Sequence, residues 1–305
     1  MLQSIIINKL FGTFDYKIDF SSLRDDRICF LTAPNGYGKT TILRFIDGLY
    51  NRRFDVFFSI PFESIDYIID GVSVRIEQHL EPCISEVSDE TTDKFITILF
   101  DKENVAGGCK LTQKDIQPDA PTDNLNSVIN QLNLFFASEN CVFIDDRRLL
   151  RENNNDSELV RFTEIVKKHL ATTTSNLQIE TFRKIVERSD FVNKRLELDA
   201  SFGFRFIAND ALKTKLAMTS LSSGEQHILL QALYLIFEAP YGTLVLIDEP
   251  EMSFHLSWQG DYLTNMKDIV DIRHIQCIVA THSPIVFDEE YSRTIDLFEL
   301  QQGTY

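Results

Sequence analysis

The 305 residues carry 46 acidic and 30 basic side chains, a formal net charge of −16. A hydrophobic fraction of 44% beside 25% charged residues is that of an ordinary folded chain, long enough to bury a sizeable core. That balance excludes a disordered acidic tail, a collagen-like chain and a coiled-coil rod, and it excludes a protein that coats nucleic acid over its whole surface, because phosphate binding needs clustered Lys and Arg.

Five cysteines, Cys29, Cys83, Cys109, Cys141 and Cys277, are odd in number and free of CxxC spacing. They fit reduced thiols in the cytoplasm better than a disulfide framework or a zinc site. No run of 18 apolar residues occurs, so no membrane-spanning helix is expected; residues 1–9 lack the basic start of a secretory signal.

In chain order, short Ile- and Phe-rich runs at 3–7, 14–20 and 27–32 read as strands, and residues 40–50 as a helix. Further strand-like runs lie at 54–60, 72–76 and 95–100. Residues 81–125 hold ten acids and four bases, with Pro118 and Pro121, and the stretch 101–124 reads as a long surface loop. Asp156 or Ser157 can cap a helix that places Leu159, Phe162, Val166 and Leu170 on one face. A second helix over 175–192 puts Phe182, Ile185 and Val186 inward, and a Thr172-Thr173-Thr174 turn makes the two an αα-hairpin. Residues 147–195 hold eleven bases and seven acids, which suits either a phosphate-binding patch or a solvated helical face. A helix near 223–238 and strands at 243–247, 275–280 and 294–299 complete the chain.

Four segments carry chemistry. Ala33-Pro34-Asn35-Gly36-Tyr37-Gly38-Lys39-Thr40-Thr41 follows a strand and opens a helix, the context of a phosphate-binding loop. Gly36 and Gly38 let backbone N–H groups converge on phosphate oxygens at a helix N-terminus. Lys39 reaches the terminal phosphates and the Thr40 hydroxyl ligates Mg²⁺. Thr243-Leu244-Val245-Leu246-Ile247-Asp248-Glu249-Pro250 is an uncharged strand delivering two carboxylates at its C-terminal end, where α/β sheets hold ligands. Asp248 suits Mg²⁺, and Glu249 suits the orientation and deprotonation of an attacking water. Leu221-Ser222-Ser223-Gly224-Glu225-Gln226 opens a helix with a Ser cap, and Ile278-Val279-Ala280-Thr281-His282-Ser283-Pro284 ends a strand in a His. Taken singly, each segment has an ordinary structural explanation. Their order and spacing, 27 residues from Leu221 to Asp248 and 34 from Asp248 to His282, make a joint accident far less probable than any one alone.

These motifs resemble an ABC-class ATPase head, with Walker A at 33–40, a signature at 221–226, Walker B at 244–249 and a switch His282. Within that class the chain is similar to the SMC/RecF-like and OLD-like ATPases, on Leu10-Phe11-Gly12-Thr13-Phe14, on Asp248-Glu249-Pro250-Glu251 with Ser253-Phe254-His255, and on Ala280-Thr281-His282-Ser283-Pro284. The resemblance implies an α/β fold: a P-loop head with a mixed β-sheet, an antiparallel β subdomain and an inserted α-helical hairpin. Its expected organisation is an N-terminal lobe over 1–150, the helical insert over 151–200 and a C-terminal lobe over 201–305. It also implies a head-to-tail homodimer, or a higher even-numbered assembly, with two ATP sandwiched. In each site Asn35, Gly36, Tyr37, Gly38, Lys39, Thr40 and Thr41 grip the nucleotide, Thr40 and Asp248 hold Mg²⁺, Glu249 and His282 are catalytic, and Ser222, Ser223, Gly224 and Glu225 approach from the other copy. Phe11 or Phe14 lies against the adenine.

Departures from the pattern are specific. Arg147 stands where a glutamine-bearing loop is expected, His255 stands where many such heads place an Asp, and an end at Tyr305 leaves no room for the Toprim nuclease domain of full OLD proteins. The leading expectation is an ATP-hydrolysing switch subunit controlling a separately encoded effector, a nuclease, in anti-phage defence. The alternatives are an ATP-dependent scaffold or sensor with negligible turnover, a DNA repair or maintenance ATPase contacting DNA through 147–195, and, least in keeping with the motifs, the nucleotide-binding subunit of a transporter.

Overall fold

Alternating burial begins with the first strand, β1 (Leu2–Leu10), whose Leu2, Ile5, Ile7 and Leu10 are buried. The structure, a computed structural model, describes the chain apart from residues 22, 83–91, 103–104, 117–121, 137–140, 146–154, 173–175 and 303–305. The chain divides into two compact units, residues 1–143 with 295–305, and residues 144–294.

In the first unit, β1 turns at Phe11 and Gly12, both with positive φ, into β2 (Phe14–Asp19). A short helix, α1 (Leu23–Asp26), leads to β3 (Ile28–Thr32), whose first four residues are buried. Next come α2 (Lys39–Tyr50), α3 (Val56–Ser59), β4 (Ser64–Ile69), β5 (Val72–Pro82), β6 (Thr92–Lys102) and β7 (Val105–Thr112). The strands build a six-stranded antiparallel sheet in the order β2-β1-β4-β5-β6-β7. Helix α2 buries Ile42, Leu43, Phe45, Ile46 and Leu49. Phe45 stacks on Phe57 at 5.6 Å and meets Phe62 edge-on at 5.3 Å. Tyr67 of β4 donates its hydroxyl hydrogen to the Phe45 carbonyl at 2.9 Å, tying sheet to helix.

Two expectations fail here. Residues 54–60 are not a strand, because Val56, Phe57 and Phe58 form one buried helical turn; a short run of aromatic and β-branched residues suits either state until its packing partners are known. Residues 101–124 are not a long loop either. β7 pairs with β6, placing Gly107 opposite Phe100 and Gly108 opposite Leu99, and α4 (Asp123–Phe136) starts within the same stretch. A Cβ on Gly107 would sit 2.3 Å from Phe100 Cε2. The glycine that weakens the strand pattern is therefore required by the ring lying over it. Pro118 and Pro121 lie outside the described residues.

β8 (Cys141–Ile144) spans the unit boundary. The second unit continues with α5 (Asn155–Thr172) and α6 (Leu177–Arg188). Leu159, Phe162 and Val166 are buried as their spacing predicts, and so are Phe182, Ile185 and Val186. Asn176 caps α6 by accepting from Gln178 N–H and Ile179 N–H. Thr173 and Thr174 of the expected turn lie outside the described residues. A small antiparallel sheet of β9 (Lys194–Asp199), β10 (Gly203–Ala208) and β11 (Lys215–Leu216) packs against the helices. Phe182 meets Phe204 edge-on at 5.5 Å, and a Cβ on Gly203 would collide with the Thr163 carbonyl oxygen at 2.1 Å.

Helix α7 (Ser223–Leu233) runs into a π-helical turn at Tyr234–Glu238, so the α-helix expected to 238 ends earlier. β12 (Leu244–Asp248) and β13 (Gln276–Thr281) pair in parallel across α8 (Leu256–Arg273). Only 294–296 of the expected last strand is a strand, β14 (Thr294–Asp296). It gives way to α9 (Leu297–Gln302), in which Leu297 is buried and the Gln301 side chain donates to the Asp15 carbonyl.

Candidate functional site

The phosphate-loop residues all lie in the first unit. Strand β3 delivers Ala33 into the turn, and Gly36 (φ +90°) and Gly38 (φ +85°) take left-handed conformations that L side chains resist. Gly38 is also hemmed in: a Cβ there would sit 2.9 Å from Leu10 Cδ2. Asn35 and Gly36 are exposed, and Tyr37, Thr40 and Thr41 are half-buried. Helix α2 begins at Lys39 with no side-chain cap hydrogen bond and no acid in its first turn, which leaves a positive helix end facing the loop. Lys39 is only 5% exposed, and its Nζ donates to the Ala33 carbonyl at 2.8 Å. The loop thus stores its own cation against its own backbone.

Aromatic rings frame this loop. The Tyr16 hydroxyl donates to the Tyr37 carbonyl at 2.7 Å, and burial pushes the Tyr16 phenol pKa up. The Tyr37 ring packs against Phe14 at 5.4 Å and Phe298 at 5.7 Å. Phe14 is therefore engaged in packing, whereas Phe11 is 43% exposed beside Gly38.

The remaining site residues lie in the second unit. Parallel pairing sets Asp248 opposite Ala280, and Glu249 N–H donates to the Ala280 carbonyl at 2.8 Å, so both strands end at one level. Glu249 is held in the left-handed region at φ 45°, an uncommon conformation for a residue with a side chain. His282 is exposed at the end of β13, its Nδ1 3.8 Å from Glu249 Oε1 and 3.2 Å from Glu251 Oε1. The structure therefore brings Glu249 and His282 together.

Ser222 caps α7: its Oγ accepts from Glu225 N–H at 3.3 Å, and Glu225 Oε2 accepts from Ser222 N–H at 2.7 Å, a complete capping box. Ser222 and Ser223 are exposed, while Gly224 and Glu225 are buried. Lys194 Nζ closes on Glu225 Oε1 at 2.7 Å. Glu225 thus organises the turn that presents the two serines. His255 fills the helix-cap position of α8, its Nδ1 accepting from Ser257 N–H at 3.4 Å. Arg147 lies outside the described residues.

Much of the basic charge of 147–195 is matched locally. Arg161 pairs with Glu158 and Glu238, Arg188 with Asp268, and Arg195 with Glu197. Lys194 was not singled out from the sequence, and Glu251 entered only as part of the Asp248–Glu251 run that carries the resemblance, with no role of its own. A Glu three residues beyond Asp248, with a Thr directly before His282, is the signal that could have singled out Glu251.

A family described as "AAA domain, putative AbiEii toxin, Type IV TA system" matches residues 145–288, the stretch holding α7, β12 and β13. The glycine-turned phosphate loop between β3 and α2 and, following in order, a Ser-capped helix, an Asp-Glu strand end and a strand-end His are the motifs of a P-loop ATPase, and the family match, over less than half of the chain, agrees with them. Protein ea59 of Escherichia phage lambda is 25% identical over 281 residues, which cover 91% of this chain and 49% of that protein. The chain thus spans about half the length of the curated relative it matches. Among solved structures, the SMC head domain from Thermotoga maritima aligns over 96% of this chain and 92% of its own, at 17% identity and a TM-score of 0.44. An SMC head bound to the C-terminal winged-helix domain of ScpA aligns over 97% and 93%, at 13% identity and a TM-score of 0.45.

Proposed function

We propose that this chain binds and hydrolyses ATP, that ATP joins two copies head to tail, and that the cycle switches a separately encoded effector protein. The observation that carries the reading is the phosphate loop: two left-handed glycines, an uncapped helix start and a buried Lys39 parked on the Ala33 carbonyl. An incoming phosphate offers Lys39 a full negative charge in place of a carbonyl dipole, and the N–H groups of the first helical turn add to the attraction. Asn35, Gly36, Tyr37, Gly38, Lys39, Thr40 and Thr41 bind the nucleotide, and exposed Phe11 receives the adenine face.

In this reading Lys39 and Asp248 each act on Mg·ATP, as the resemblance implies. Among the described residues, no group of three or more His, Cys, Asp or Glu could hold a metal ion unaided. Thr40 and Asp248 together with phosphate oxygens make the hard oxygen set that suits Mg²⁺, whose chemistry is to neutralise charge developing on the transferred phosphoryl group. Glu249 orients and deprotonates water, and His282 contacts the terminal phosphate and registers its loss. Ser222 and Ser223, exposed at the N-terminus of α7, offer hydroxyl and backbone donors to the partner copy's nucleotide.

The effector is assigned by chemistry. Among the described residues the motifs make one ATP site, and in this reading the output acts through another protein, with a nuclease as the proposed class. A match to a family described by a putative toxin, and a relative borne by a phage, support a role in conflict between phage and host. The ion pairs within 147–195 favour a protein partner over DNA phosphate. No described helix is long and apolar enough to cross a membrane, and we place the protein in the cytoplasm.

The test is ATP turnover by the purified chain with Mg²⁺. Lys39→Ala should abolish both nucleotide binding and turnover, and Glu249→Gln should retain binding while lowering kcat by at least about 10²-fold. Turnover unchanged by Lys39→Ala would refute the proposal.

A further inference from the structure

Glu251 is a buried carboxylate for which the nucleotide reading, on which this inference rests, has so far no use. It lies in the 3-10 turn Pro250–Ser253 that follows β12 and is 5% exposed. Its Oε1 accepts from the Thr281 hydroxyl at 2.6 Å and from His282 N–H at 3.0 Å, and His282 Nδ1 stands 3.2 Å away. Thr281 is fully buried, and its Oγ1 accepts in turn from Ser283 N–H at 3.0 Å. A chain of hydrogen bonds therefore runs from the turn after β13 into the turn after β12.

Two carboxylates compete for the His282 ring. Glu249 is 3.8 Å from Nδ1 with a side chain 29% exposed, whereas Glu251 is 3.2 Å away with a side chain 4% exposed. The nearer and drier charge acts more strongly, since less water screens it. Glu251 Oε2 is buried without a hydrogen-bond partner. An orphaned buried oxygen is costly, and the turn holds this carboxylate in spite of that cost.

We propose that Glu251 is a positioning residue of the ATP site: it keeps the His282 proton on Nδ1, so that Nε2, on the far side of the ring, is the nitrogen presented to the terminal phosphate and its water. Which imidazole nitrogen carries the proton is set by the partner of the other. Glu251→Gln separates this role from a structural one. The amide oxygen can still accept from Thr281 and from His282 N–H, but the charge that holds the Nδ1 proton is gone.

The experiment is ¹⁵N NMR of the six histidines in the nucleotide-free full chain at roughly pH 8.5, well above the ordinary imidazole pKa. His282 is assigned by its disappearance in His282→Gln. Wild type should show a protonated Nδ1 and a bare Nε2, Glu251→Gln should move the proton to Nε2, and Thr281→Val, which spares the charge, should leave it on Nδ1. A wild-type ring protonated on Nε2, or a tautomer indifferent to Glu251→Gln, overturns the proposal. Turnover is a separate readout: Glu251→Gln should lower kcat on the order of ten-fold with KM for ATP within about two-fold. A tautomer that responds in a chain that hydrolyses no ATP would uphold the ring-setting role and sink the ATPase reading. Normal ATPase kinetics with an unresponsive tautomer would do the opposite.

Discussion

Gly38 shows how tightly single positions are specified around the phosphate loop. Its φ of +85° disfavours any L side chain, and a Cβ would press on Leu10 Cδ2 at 2.9 Å. Gly38→Ala should therefore cost about 1–2 kcal/mol of folding stability from the left-handed backbone alone, in addition to blocking the loop. Urea denaturation measures it, and an unchanged midpoint would show that the loop rearranges freely. Glu249, left-handed without being glycine, is strained at the point where the proposed chemistry needs a carboxylate. Two of the described cysteines behave differently, as core. Cys29 and Cys277 are buried, and desolvation pushes the Cys29 thiol up to about 12 and that of Cys277 further.

At the scale of elements, the decisive device is the start of α7. Its capping box fixes the turn carrying Ser222 and Ser223, and the Lys194–Glu225 pair ties that turn to β9. Lys194 is 19% and Glu225 5% exposed in their side chains, so removing the ammonium leaves a buried carboxylate short of its counter-charge. Lys194→Ala should destabilise the fold by about 3 kcal/mol, and by clearly less in a Glu225→Gln background. Equal losses in both backgrounds would mean that the pair is not coupled. Elements were legible from sequence where the apolar pattern was clear, as in α5, α6 and β12, although α5 begins at Asn155 and so takes in Asp156 and Ser157, which were expected to cap it. They were not legible at 56–59, at β7 or at the end of β14. In those places a Phe ring over glycine, or an aromatic cluster against α2, overrides local propensity.

For the whole molecule, the net charge of −16 bears on assembly. Two like-charged copies repel at long range, so any dimer must be held by local contacts and by the nucleotide. With Glu249→Gln and ATP, light scattering should show the mass doubling, more completely near 0.15 M salt than at low ionic strength, because screening shortens the repulsion to about 8 Å. Lys39→Ala should remain monomeric. A mass independent of ATP in both variants would remove the sandwich from the proposal.

The sequence by itself determined the chemistry on offer. The loop 33–41, Ser222, Asp248, Glu249 and His282 are recognisable because each function restricts residue type and spacing along one strand-to-helix or strand-to-turn junction, a local matter. Only the tertiary structure decided what holds those residues in place. The carboxylate gripping His282 comes from a turn thirty-one residues earlier, and the cation on Glu225 from a strand thirty-one residues earlier. Such partners meet through parallel pairing and helix packing, and contacts of that range leave no periodic trace in the chain.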